Sequence, residues 1–121
     1  MSSTKPLNPL RGEVWHVKFN PSAGKEIRKT RPAVVVSVDN TGKLPIKIVA
    51  PITEWKVAFS NKIWLVKIKH NKTNGLTKES AVDTLQIKGV DIQRFRKKLG
   101  QLTPAQMDDI TTAIAAIIDY Q

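Results

Sequence analysis

The chain has 121 residues, 40% hydrophobic and 25% charged, a composition that suits one packed domain and argues against wholesale disorder. It has no cysteine, which excludes a disulfide framework, a thiolate nucleophile and a cysteine-built zinc site; its two histidines, His16 and His70, lack metal-binding spacing, so no metal or other cofactor is expected. Lys and Arg number 20 against 10 for Asp and Glu, and the formal charge of +10 points to an anionic partner, nucleic acid or an acidic protein tail, unless it is only a solvated basic surface.

Residues 1–72 hold 14 basic and 4 acidic side chains, whereas residues 73–121 hold 6 of each, so the first part of the chain carries the field. Residues 1–10 contain two prolines and no apolar run, and read as a short flexible leader before a single domain over 11–121. No stretch approaches the roughly 20 apolar residues that a membrane span needs, and the expected location is the cytoplasm.

From Gly12 to Phe19 the chain alternates, with Trp15, Val17 and Phe19 on one face and His16 and Lys18 on the other, which predicts a strand. Asn20 to Thr30 is rich in breakers and charge, a loop that ends at Arg31 and Pro32. The run Ala33-Val34-Val35-Val36 predicts a strand buried on both faces. A turn at Asp39-Asn40-Thr41-Gly42 precedes a strand over Ile46–Ile52, in which Pro51 marks the end or a bulge. Lys62 to His70 alternates as a half-exposed strand, and Ala81–Ile87 and Phe95–Leu102 are weaker strands, with Gly89 and Gly100 as local breaks. Thr103, Pro104 and Gln106 spell a capping box with proline at the first helical position, and Met107, Ile110, Ile114, Ile117 and Ile118 form one apolar stripe behind it. Short strands followed by one terminal helix predict an α+β fold built on a small, strongly bent antiparallel sheet or open barrel.

Gly24, Lys25, Glu26, Arg28, Lys29 and Arg31 make the 24–31 segment a plausible phosphate cradle. Arg31, its backbone pinned by Pro32, can aim a bidentate guanidinium fork at a phosphate, or lock the loop through a salt bridge to Glu26 or Asp83. Thr53 is a hydroxyl at a strand end, facing a cleft or stabilising a turn. Trp55, beside Lys56, is the better of the three tryptophans for stacking on an unpaired base, since Trp15 and Trp64 fall on inward faces.

The segments Arg11-Gly12-Glu13-Val14-Trp15, Asn20-Pro21, Gly24-Lys25-Glu26, Lys29 to Val36, Val49 to Thr53, and Gln86-Ile87-Lys88 before Asp91 stand in the order of the motifs of the MazF/PemK family of toxin endoribonucleases, which the chain resembles from about Arg11 to Tyr120. The resemblance implies an SH3-like barrel with helices, forming a homodimer. It implies sequence-selective cleavage of single-stranded RNA, chiefly mRNA, and inhibition by an acidic antitoxin. By match of position, Arg31 and Thr53 take the catalytic pair, and Glu26, Ser80 and Gln86 take positions on the RNA path. Asp83 and Lys88 belong to the same expected RNA surface, Lys88 standing where the family usually has arginine. RNA supplies its own nucleophile, the 2′-hydroxyl, so a metal-free mechanism needs only alignment, charge stabilisation and proton transfer. Arg31 would stabilise charge and Thr53 would hydrogen-bond a phosphate oxygen, while the general base has no assigned residue, since an arginine is normally always protonated. Two other classes stay open: a toxin resembling the CcdB type, which poisons DNA gyrase without cutting RNA, and a nucleic-acid-binding barrel without catalysis.

Overall fold

The architecture is that of a computed structural model, which describes residues 7–120. In chain order the elements are β1 (Glu13–Lys18), β2 (Thr30–Val35), β3 (Ile46–Glu54), β4 (Leu65–Ile68), β5 (Ser80–Asp83), β6 (Lys88–Asp91), β7 (Phe95–Gln101) and α1 (Pro104–Ile117), with one-turn 3-10 segments at Val57–Phe59, Thr84–Gln86 and Ile92–Arg94. All strand pairings are antiparallel, and the order across the sheet is β4-β5-β3-β2-β1-β7, with β6 on β3.

The long strand β3 organises the molecule. β2 lies along one edge, and the other edge takes β6 over Ile46–Val49 and β5 over Ile52–Glu54. Pro51 therefore sits inside the strand, at the gap between those two partners, where its missing N–H interrupts no ladder on that edge. The predicted strand over Ala81–Ile87 stops at Asp83, which caps the 3-10 turn over Thr84–Gln86 by accepting from Leu85 N–H at 3.1 Å, and β6 begins only at Lys88. Gly89 and Gly100, expected as breaks, lie within β6 and β7.

As the apolar run of β2 required, the sheet is buried on both sides. Val14, Val34, Ala50, Ile52, Ile68 and Val82 join Leu102, Met107 and Ile110 in one core, whereas Trp15, Val17, Phe19, Ala33, Val35, Val49, Val90 and Phe95 form the other. Helix α1 seals the first core with Met107, Ile110 and Ala113; its apolar stripe runs out at Ile118, which is 65% exposed. The capping box is present: Thr103 Oγ1 accepts from Gln106 N–H at 3.1 Å, and Gln106 Oε1 accepts from Thr103 N–H at 2.9 Å. Arg11 ties these layers together, its guanidinium donating to the Val36 carbonyl and, at 3.0 Å, to Thr111 Oγ1 on α1. Of the expected leader, residues 1–6 lie outside the described residues, while Pro9 is fully buried and Leu10 N–H donates to Glu13 Oε1 at 2.8 Å.

Of the expected strongly bent antiparallel sheet or open barrel, the structure has the antiparallel sheet with its terminal helix, but the sheet is not strongly curled. Among the described residues no strand pairing joins β4 to β7, so the sheet stays open. The gap is covered by the Asn71–Gly75 turn, laid on β7 so that Gln101 N–H reaches the Thr73 carbonyl at 3.0 Å. Buried Asn74 braces that turn, accepting from Asn71 and Leu76 N–H and donating to the Lys69 carbonyl at 3.0–3.1 Å.

Candidate active site

Antiparallel register brings together what the chain separates. β2 pairs with β3 as Ala33 with Pro51, the last pair of their ladder, and Arg31 and Thr53 each lie two residues beyond it. On its other side β2 pairs Val17 with Arg31 and His16 with Pro32. These strands open into a cleft of about 430 Å³, lined by His16, Arg31, Pro32, Thr53, Glu54, Lys56 and Ser80 from one side and by the Gly75–Lys78 segment and Leu99 from the other.

Its polar groups divide by whether they are already engaged. Ser80 is buried and its hydroxyl donates to the Lys78 carbonyl at 2.8 Å, while Glu54 pairs with Lys78 Nζ at 3.5 Å. Arg31 is exposed, and its one hydrogen bond runs from Nε to the Arg28 carbonyl at 3.4 Å, which leaves both terminal nitrogens of the fork free among the described residues. The salt bridge to Glu26 or Asp83 that would have made Arg31 a loop lock is absent among the described residues. The Thr53 hydroxyl and the His16 ring likewise have no hydrogen-bond partner among the described residues, although both are half-buried in the cleft wall. The sequence reading weighs His16 only as a metal ligand; strand alternation puts it on the face of Val14, opposite to Trp15 and Val17, and register puts it across from Pro32, the residue next to Arg31.

Three of the remaining expected RNA-binding positions, Glu26, Gln86 and Lys88, line a second concavity of about 350 Å³ together with Phe19, Ser22, Ile27, Leu85 and Ile87. Gln86 joins the two sides of this hollow. Its Oε1 accepts from Ile27 N–H at 2.7 Å and its Nε2 donates to Asp83 Oδ2 at 3.0 Å. The amide oxygen thus ties the 20–29 loop to the sheet, and the bond to Asp83 holds the amide in place. Burial pushes the Asp83 carboxyl above its ordinary range, opposed by the N–H donors of Leu85 and Gln86.

Within the loop, Gly24 and Lys29 take positive φ values of 58° and 65°. Phe19 N–H donates to the Lys29 carbonyl and Lys29 N–H donates to Asn20 Oδ1, both at 2.9 Å, which holds Lys29 in that conformation. Arg28 folds back to the Gly24 carbonyl at 2.8 Å, and Glu26 Oε1 accepts from Ala23 N–H at 3.2 Å. Lys25 is exposed at the loop tip. Trp55 stands outside both hollows: its ring packs edge-on to Phe59 with centroids 5.8 Å apart, and Lys67 Nζ lies 5.1 Å from its centroid, so one stacking face already has an occupant. Trp15 is core, edge-on to Phe95, and Trp64 is half-buried under Lys62. Among the described residues no three His, Asp or Glu side chains are placed to share a metal ion, and no helix is long and apolar enough to cross a membrane.

Known proteins share this arrangement of strands. The chain is 27% identical over 116 residues to endoribonuclease MazF9 of Mycobacterium tuberculosis, a match covering 90% of this chain and 95% of that protein. It is 31% identical over 107 residues to endoribonuclease MazF of Staphylococcus saprophyticus, covering 86% of each. Among solved structures, MazF of Deinococcus radiodurans superposes with a TM-score of 0.78 at 18% identity, over 93% of this chain and 98% of that one. A mycobacterial endoribonuclease in complex with its cognate antitoxin superposes with a TM-score of 0.73 at 21% identity, over 93% and 97%. A family model matches residues 10–118, and the chain belongs to that family, the PemK-like, MazF-like toxins of type II toxin-antitoxin systems.

Proposed function

We propose that this chain is the toxin of a toxin-antitoxin pair and a sequence-selective, metal-independent endoribonuclease that cuts single-stranded RNA, chiefly mRNA, in the cytoplasm. The observation that carries the reading is that Arg31 and Thr53 line one open cleft with the terminal guanidinium nitrogens and the hydroxyl uncommitted among the described residues. Two relatives of comparable length bear the name endoribonuclease, which agrees with it.

The chemistry follows from the substrate. The ribose 2′-oxygen attacks the adjacent phosphorus, the bond from phosphorus to the 5′-oxygen breaks, and the products end in a 2′,3′-cyclic phosphate and a 5′-hydroxyl. Negative charge grows on the non-bridging oxygens, and the two free arms of Arg31 fit a pair of such oxygens as a fork. Thr53 donates its hydroxyl to the same phosphate, fixing the line of attack. The Glu26, Gln86 and Lys88 hollow, with the basic loop above it, would carry the flanking nucleotides. The protein's partners are then RNA, a second copy of itself in a homodimer, and an acidic antitoxin drawn by the net charge of +10. A gyrase poison of the CcdB type would have no use for a free guanidinium and hydroxyl in a cleft.

Purified protein incubated with a long single-stranded transcript in EDTA should give discrete fragments with cyclic-phosphate ends. Arg31→Ala and Thr53→Ala should each slow cutting by about 10²-fold or more while leaving the melting curve in place. An intact transcript at every ionic strength refutes the reading.

A further inference from the structure

We propose that His16 is the general base of the reaction, a role that rests on the endoribonuclease reading above and fills the one position the Arg31 and Thr53 pair leaves empty. Three observations carry it. His16 lines the cleft that holds both residues, and its cross-strand partner Pro32 directly follows Arg31. Directly opposed residues on paired strands hold their Cβ atoms about 5 Å apart and share a face, so the imidazole enters the cleft beside the Pro32 ring, on the face of Val14 and Val34, while strand alternation brings Arg31 to the cleft from the other face. Finally, no group among the described residues hydrogen-bonds the ring, although it is half-buried.

The alternatives within reach are worse bases. Arginine stays protonated, an aliphatic hydroxyl does not accept a proton at neutral pH, and Lys56 and Lys78 carry charge. Glu54 is the other possible acceptor, and Lys78 already sits 3.5 Å from it. Imidazole as a class is largely neutral at physiological pH and accepts a proton readily there.

The step balances without a co-reactant. A ring nitrogen of His16 takes the 2′-hydroxyl proton as the 2′-oxygen bonds to phosphorus. The 5′-oxygen leaves with the electron pair of the broken bond and takes a proton from solvent, which the open cleft admits, and the imidazolium returns its proton to water. The charged groups that line the cleft with His16 are Arg31 on β2, Glu54 on β3, and Lys56 and Lys78. From β7, Arg96 and Lys97 lie at the register shift across from it, and Lys98 beyond them is paired with Glu13.

The test is the pH-rate profile of single-turnover cleavage for the wild type, His16→Asn and His16→Gln, with RNA affinity and melting curves measured alongside. In the wild type kcat/KM should rise with pH to a plateau, and the midpoint should coincide with the His16 titration followed by NMR. Both variants should lose about 10²-fold at the plateau and lose that limb, with affinity unchanged. Added imidazole should restore part of the activity of His16→Ala. Variants that keep the limb and stay within threefold of wild type overturn the assignment. If neither variant folds, the NMR titration decides alone: a His16 midpoint more than one pH unit from the kinetic one overturns it. A wild-type protein that leaves RNA intact refutes the endoribonuclease reading instead, an outcome distinct from active variants.

Discussion

Replacing Gly100 with alanine should weaken the fold far more than a methyl group normally does. A Cβ at this position would lie 2.1 Å from the Thr73 carbonyl oxygen, 2.6 Å from Asn74 C and 2.9 Å from Asn74 Cα. All three are backbone atoms, so no side chain can rotate away. Reaching ordinary contact means lifting the 71–75 turn by about 1 Å, and the bond from Gln101 N–H to the Thr73 carbonyl, 3.0 Å long, stretches beyond use. Overpacking of this kind costs about 1–3 kcal/mol and the lost hydrogen bond about 1 kcal/mol. The sum, about 2–4 kcal/mol, lowers the melting temperature of a chain this size by roughly 8–16 °C. Gly89 on β6 is the internal control, since a Cβ there meets only the Ile46 Cγ2 methyl at 3.4 Å. Gly89→Ala should stay within about 1 kcal/mol of wild type. Because Gly75 to Lys78 and Leu99 wall the cleft, Gly100→Ala should also slow RNA cleavage at temperatures where it remains folded. Urea and thermal melts of both variants decide the matter: if they melt together, the turn does not press on β7 as described.

Gln86→Ala removes the acceptor for Ile27 N–H and a donor to Asp83, so the Ile27 amide should exchange with solvent about tenfold faster while the global melting curve moves little. Glu13 is held below its ordinary value of 4.5 because hydrogen bonds from Lys98, Leu10 N–H and Trp15, with the Lys98 charge, outweigh the effect of its burial. Its contribution to stability is therefore complete above that value and lost as pH falls through the lower, folded-state value; the stability gap between wild type and Glu13→Gln in melts should be widest near neutrality and close in acid. Inhibition by the cognate antitoxin should weaken as salt rises, because an acidic peptide attracted by the net charge of +10 is screened; a salt-independent inhibition constant would contradict that picture.

Features set by neighbours a few residues away could be read from the chain alone. The capping box at Thr103, the buried run of β2, the alternation of β1 and the loop between them all rest on local spacing and capping chemistry, and the structure has them where the pattern put them. That Arg31 and Thr53 share one cleft was legible only through resemblance, because no period in the sequence states the register of β2 on β3. Other features depended wholly on contacts between distant segments. Gly100 reads as a strand break until the 71–75 turn is seen crossing it, and Trp55 reads as a free stacking ring until Lys67 and Phe59 are found against it. His16 reads as an ordinary outward residue until the cleft is seen to take both it and Arg31 into its wall. Backbone register and the approach of one loop to a remote strand are long-range quantities, decided by how both cores close at once, and they determine which polar groups in the cleft are left free.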